Sequence, residues 1–115
     1  MENYNRGIFA FKDYFLEFYE EQTKEVQEKI EWTLNLIRVM RQVPEKYFKH
    51  IEGVRGLYEI RVESGSRIIR IFAFFDKGNL IILGNAFQKQ SQKTPKKEIQ
   101  KAIKIMNDYF YENKN

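Results

Sequence analysis

An α+β domain, with helices packed on a twisted antiparallel sheet, is what this sequence predicts. Three observations carry that expectation. Two segments place apolar residues at helical spacing, one in the first half of the chain and one at its end. Between them lie three strand-like runs joined by turns so short that they favour antiparallel neighbours. The 115 residues are 43% hydrophobic and 16% aromatic, enough for one compact core. With no repeat and no Pro/Gly/Ser-rich linker, residues 1–115 read as a single domain.

Each element has its own signal. Ile8–Phe11 reads as a short first strand, and 13–21 as a short helix with Phe15, Phe18 and Tyr19 on one side. Thr23 is placed to cap a second helix over 24–42, where Val26, Ile30, Leu34, Ile37 and Arg41 recur at helical spacing. Trp32, Leu36 and Val39 make a second apolar stripe, which suggests that something besides the sheet covers this helix. Pro44 is expected to end it. Leu57–Glu63 alternates as a half-buried strand does, Arg67–Phe75 is β-branched and aromatic, and Leu80–Phe87 is the third run. Ser64–Ser66 and Asp76–Asn79 are the turns. Ile99, Ala102, Ile103, Met106 and Phe110 define a last helix over 95–111, with Thr94 as its cap and Pro95 as its first residue. The predicted order is β-α-α-β-β-β-α.

Composition removes several chemistries. There is no cysteine, so disulfides, thiolate metal sites and cysteine nucleophiles are excluded. The single histidine, His50, cannot build a histidine-rich metal site, and no phosphate-binding loop or nucleophile elbow is present. No metal and no cofactor is expected. The polar start lacks the apolar core of a signal peptide, and no apolar run approaches the roughly 20 residues of a membrane span. A soluble, cytoplasmic protein without membrane partners is the expectation.

The net charge of +4 is modest, but it is segregated. Residues 13–31 hold seven acids against Lys24 and Lys29. Residues 84–104 hold six lysines against Glu98. One surface should repel nucleic acid and another attract it. The basic part centres on Gly84–Glu98, where Lys89, Lys93, Lys96 and Lys97 accompany Phe87 and three glutamines in a connector from strand to helix. Lys96 and Lys97 oppose the helix dipole, which favours acids at that end, so the pattern suits an anionic partner.

Arg70 stands out within Ile68-Ile69-Arg70-Ile71-Phe72, because an unpaired charge is costly to bury there. It must reach water, a partner or Glu59 on the neighbouring strand. One hairpin register puts Glu59 opposite Arg70 and another puts Ile60 there. Arg61 shares the face of Glu59, so the three should form one polar cluster, either satisfied internally or able to grip phosphate bidentately. Arg67 at a strand end is a further candidate phosphate contact, and Phe87 could stack a base.

The runs Leu57–Glu63 and Arg70–Phe75, with Asn85-Ala-Phe-Gln-Lys-Gln-Ser-Gln-Lys-Thr-Pro-Lys-Lys-Glu, resemble the RelE/HigB superfamily of type II toxins, in its phage-derived branch. The last segment is similar to that branch's H-G-F-x-K-K-T-x-K-T-P-x-x-E pattern. The resemblance covers about residues 8–110. It implies an mRNA interferase that acts in the ribosomal decoding site without metal, its RNA's own 2′-hydroxyl attacking the adjacent phosphate, and that is neutralised by an antitoxin. Arg61, Arg70 and Lys89 fall on the family's basic catalytic positions. Arg67, Asn85, Phe87, Lys93, Lys96 and Lys97 are then candidate RNA contacts, and Trp32, Leu36 and Val39 a candidate antitoxin landing site. Asn85 stands where family members often carry histidine, and asparagine cannot act as a general base; Glu59, Lys89 or His50 would have to replace it. The alternatives are a ParE-like gyrase inhibitor acting through protein contacts, or an RNA-binding relative without catalysis.

Overall fold

The computed structural model describes residues 4–90 and 93–114; Ser91 and Gln92 of the basic connector lie outside them, as do residues 1–3 and 115. The element order is β1 (Gly7–Ala10), α1 (Tyr14–Glu20), α2 (Lys24–Val39), β2 (Phe48–His50), β3 (Tyr58–Ser64), β4 (Arg67–Phe75), β5 (Leu80–Gln88) and α3 (Lys96–Glu112). The expected α+β architecture is present. The five strands form one sheet in the order β1-β5-β4-β3-β2. The β2-β3-β4-β5 pairs are antiparallel, and β1 joins β5 in parallel after α1, α2 and the hairpins have intervened. Strand β2 carries no signal in the sequence, because three residues are too few to show a period.

The sheet has two unlike faces. Odd-numbered residues of β4 (Ile69, Ile71, Ala73) join Ile60, Val62, Ile81 and Leu83 beneath α1 and α2, where Val26, Ile30, Leu34 and Ile37 pack on them. This is the main core, and it matches the first stripe read on the second helix. Even-numbered residues of β4 face α3: Phe74 and Ile82 meet Ile105 and Tyr109, and Phe72 meets Ala102. The line of α3 that is buried runs Ala102, Ile105, Tyr109, so the expected core residue Phe110 is instead exposed.

Thr23 caps α2 as expected, accepting from the Val26 amide at 3.3 Å. The helix stops at Val39, earlier than Pro44 requires, and Arg41 is outside it. Its last carbonyls are taken by the segment before β1. Arg6 donates to the carbonyls of Ile37, Met40 and Arg41 at 3.0, 2.6 and 2.9 Å, and Asn5 donates to that of Val39 at 2.7 Å. A guanidinium spread over three terminal carbonyls complements the negative end of the dipole.

Candidate nucleic-acid interface

The β3–β4 hairpin sets the site. Ser64 pairs with Arg67 across Gly65–Ser66, with Gly65 at a φ of 60° that favours glycine. That two-residue loop places Arg61 directly opposite Arg70, and Glu59 opposite Phe72. Neither Glu59 nor Ile60 faces Arg70 as the shorter strand reading had it. Two guanidiniums side by side repel, and Glu59 resolves this from two positions along β3. Its Oε1 lies 3.1 Å from Arg61 Nε and 3.6 Å from Arg70 Nε. Glu59 is 5% exposed and Arg70 7%, whereas the Arg61 side chain is 27% exposed. Burial lowers the Arg70 pKa below its ordinary value, and Glu59 opposes that shift. Both Nε atoms are buried without a well-aligned hydrogen bond. The pair is therefore held by charge more than by directed bonding.

A bulge in β5 completes the cluster. Ile71 pairs with Ala86 but Ala73 pairs with Leu83, so Gly84 and Asn85 together oppose Phe72. The extra residue inverts the alternation beyond it. Ala86 packs in the main core, while Phe87, opposite Arg70, turns to the α3 face and stacks on Phe72 with centroids 5.7 Å apart. Lys89 follows, its amide donating to the Ile68 carbonyl at 2.7 Å. The residue is partly buried, and its pKa is lowered by burial and then by Arg70. Without the bulge, Phe87 and Lys89 would point beneath α1 and α2.

The start of α3 is drawn to the same place. Thr94 is not its cap; Pro95 is, and the Thr94 hydroxyl lies 3.5 Å from Glu59 Oε2. Asn85 donates to the Glu98 carbonyl and to Glu98 Oε1, each at 3.3 Å. Lys96 and Lys97 are exposed on the first turn that these contacts position, and Lys93 is exposed just before it.

Three sequence expectations meet a different geometry. Asn85 is 3% exposed and bonded to Glu98, so it fixes α3 rather than presenting an amide to RNA. Arg67 shares the parity of Ile69 and lies in a depression with Thr23 and Val26 at the start of α2, on the opposite face from Arg70. His50 pairs with Tyr58 and lies edge-on to its ring, also on the α2 face, which removes it as a replacement base. Conversely, Lys49 was missed. It pairs with Glu59, is exposed, and contributes to the field at Lys89. The only signal for it was its place between Phe48 and His50. The Trp32–Val39 stripe lies outside the site: Trp32 is 48% exposed, Val39 exposed and Leu36 half-buried.

Fold and cluster together define a small α+β domain that gathers cations from β2, β3, β4 and the end of β5 on the sheet face α3 only partly covers. The model of the family described as Phage derived protein Gp49-like (DUF891) matches residues 17–107. The chain belongs to that family, the phage-derived branch of RelE/HigB-like toxins that its motifs resemble. Among solved structures, it is similar to the archaeal RelE–RelB complex from Pyrococcus horikoshii OT3, at 17% identity and a TM-score of 0.48, over 78% of this chain and 99% of that one. No curated protein matches it. Among the described residues no helix is long and apolar enough to cross a membrane, and no group of three or more His, Asp or Glu side chains could hold a metal ion.

Proposed function

We propose that this protein is the toxin of a type II toxin–antitoxin system, and that it is a metal-independent endoribonuclease cutting messenger RNA on the ribosome. The observation that carries the reading is the convergence of Arg61 of β3, Arg70 of β4 and Lys89, just past β5, around one buried carboxylate. In the reaction the 2′-oxygen bonds to the adjacent phosphorus as its proton passes to solvent water. The bond from phosphorus to O5′ breaks, and O5′ takes a proton, leaving a cyclic phosphate and a 5′-hydroxyl. Arg61, the more exposed guanidinium, binds the non-bridging oxygens, and Arg70 adds its field from beneath. Burial and Arg70 favour loss of the Lys89 proton, which suits this ammonium to protonate O5′. Glu59 spends its oxygens on Arg61, Arg70 and Thr94, and Asn85 has no basic atom. Rate enhancement then comes from positioning and charge stabilisation.

Phe87 has one side against Phe72, so a base would stack on the other. Lys93, Lys96 and Lys97 hold flanking phosphates of messenger or ribosomal RNA. The partner that keeps such a toxin silent is an antitoxin, for which the exposed Trp32–Val39 stripe is the landing site. Induced expression should arrest bacterial growth, with new 5′-hydroxyl ends in translated messages. A protein substituted at both Arg61 and Arg70 that folds and remains fully toxic would refute the site. The exposed stripe also favours a second reading, a ParE-like toxin acting through protein contact; broken DNA with intact messages would establish that instead.

A further inference from the structure

A cavity of about 160 Å³ opens just ahead of β2, where the Arg61 amide donates to the Tyr47 carbonyl at 2.8 Å and the edge of β3 beyond that bond is uncovered. Lys29 and Thr33 of α2, Lys46 and Tyr47 before β2, and Arg61 and Glu63 of β3 line it. At roughly 30 Å³ per water, it has the space of about five waters, room enough for a phosphate group with some of its hydration. It holds three cations against one acid. The depression beside it, which also borders Lys29, is lined by Glu25, Glu28 and Glu63, so the cationic excess is local.

The two lysines are notable for what they do not bind. Neither forms a salt bridge among the described residues, although α1 and α2 are rich in acids. Lys29 Nζ rests 4.1 Å from the centroid of Trp32, and Lys46 Nζ 5.6 Å from that of Tyr47. The two rings are themselves edge-to-face at 6.0 Å. A cation on an aromatic face at an exposed site is weakly held, so a phosphate can take it over with little lost. Arg61 belongs to both this cavity and the cluster with Glu59 and Arg70.

From this we infer a second phosphate subsite: the cavity takes a backbone phosphate of the same single-stranded RNA whose neighbouring linkage lies at Arg61 and Arg70. The strand then runs from the start of α3, across β5, β4 and β3, and over the sheet edge to Lys29 and Lys46. The inference rests on the RNA-cleaving reading of the cluster, and its test separates the two.

Trp32 is the single tryptophan of the chain and sits beside the subsite, so its emission reports locally. The probe is a fluorescein-labelled hexaribonucleotide, 2′-O-methylated to block cleavage, bound to the full-length protein at low salt and followed by anisotropy. Lys29→Gln and Lys46→Gln should each weaken binding about two- to fivefold, and together about tenfold. The double variant should lower the salt slope by about 0.7, one single-strand phosphate contact. Binding should change Trp32 emission in the natural protein and not in the double variant. A dinucleotide, which carries one phosphate, should bind both proteins equally. Unchanged affinity, slope and emission response in the double variant, while Arg61→Gln still weakens binding, would overturn the subsite and leave the cluster reading standing. Absence of hexanucleotide binding by the natural protein would overturn both.

Discussion

The two faces of the sheet solve different problems with the same strands. Beneath α1 and α2, β3, β4 and β5 contribute Ile60, Val62, Ile69, Ile71, Ile81 and Leu83, and the face is closed. On the other face the same strands contribute Glu59, Arg61, Arg70, Phe87 and Lys89, and α3 covers only the part built from Phe72, Phe74 and Ile82. The closed face gains stability from packing. The other holds like charges together, a cost that folding alone does not reward. Substitutions on the first face should therefore register in stability, and on the second in RNA chemistry.

The largest effect in stability belongs to the closed face. Ile71 is fully buried under α2, and Ile71→Ala should cost about 2–5 kcal/mol in denaturant unfolding. Cleavage by the fraction still folded should be unchanged. Loss of intrinsic cleavage at full occupancy of the native state would mean that the faces are coupled. The mirror experiment is Arg61→Gln. Arg61 is partly exposed and Glu59 keeps Arg70 as a partner, so this ion pair should contribute no more than about 1 kcal/mol to folding. Cleavage should nevertheless fall about 10²–10³-fold, as when a donor to a developing oxyanion is removed. Equal losses in stability and cleavage would reduce Arg61 to a structural role.

The same contrast explains what the sequence could reveal. Periodicity made the closed face legible: Val26, Ile30, Leu34 and Ile37 are spaced for burial, and they are buried. The pairing of Glu59 with two arginines was legible from the chemistry of Arg70 in an apolar strand. Register was not, because it depends on Gly65–Ser66 forming a two-residue loop and on Ser64 belonging to the strand. The bulge at Gly84–Asn85 was invisible too, since one inserted residue leaves no compositional mark, yet it decides which face Phe87 and Lys89 occupy. Thr94 looked like a helix cap because local rules rank it so, and Glu59 competes for its hydroxyl from a distant strand. Arg67 and His50 could be placed on a face only once pairing was known.

A smaller effect tests the outer surface of α2, which belongs to neither face. Trp32 touches Tyr47 and Lys29 but is not part of the main core. Trp32→Asp should leave unfolding within about 1 kcal/mol of the natural protein, and should weaken antitoxin binding by about 2 kcal/mol, as expected for a buried aromatic anchor. Titration calorimetry beside thermal unfolding separates the two. Equal losses would return Trp32 to the interior and remove the landing site.

The smallest effect concerns how α3 is fastened to the open face. Tyr109 is 6% exposed, and its hydroxyl donates to Asp76 Oδ2 at 2.5 Å, tying the end of α3 to the turn between β4 and β5. Burial, and then the hydrogen bond to Asp76, push its pKa up to about 12 from 10.0. A raised folded-state value means that the neutral phenol is the stabilising form. Its contribution is complete below pH 10 and is lost as pH rises through about 12. Tyr109→Phe should cost about 0.5–1.5 kcal/mol at neutral pH, and the difference from the natural protein should shrink between pH 10 and 12. Taking the difference cancels the lysines that titrate over the same interval. A gap that stays constant across that interval would mean that Asp76 does not receive this proton and that packing, with the Asn85–Glu98 contact, fastens α3.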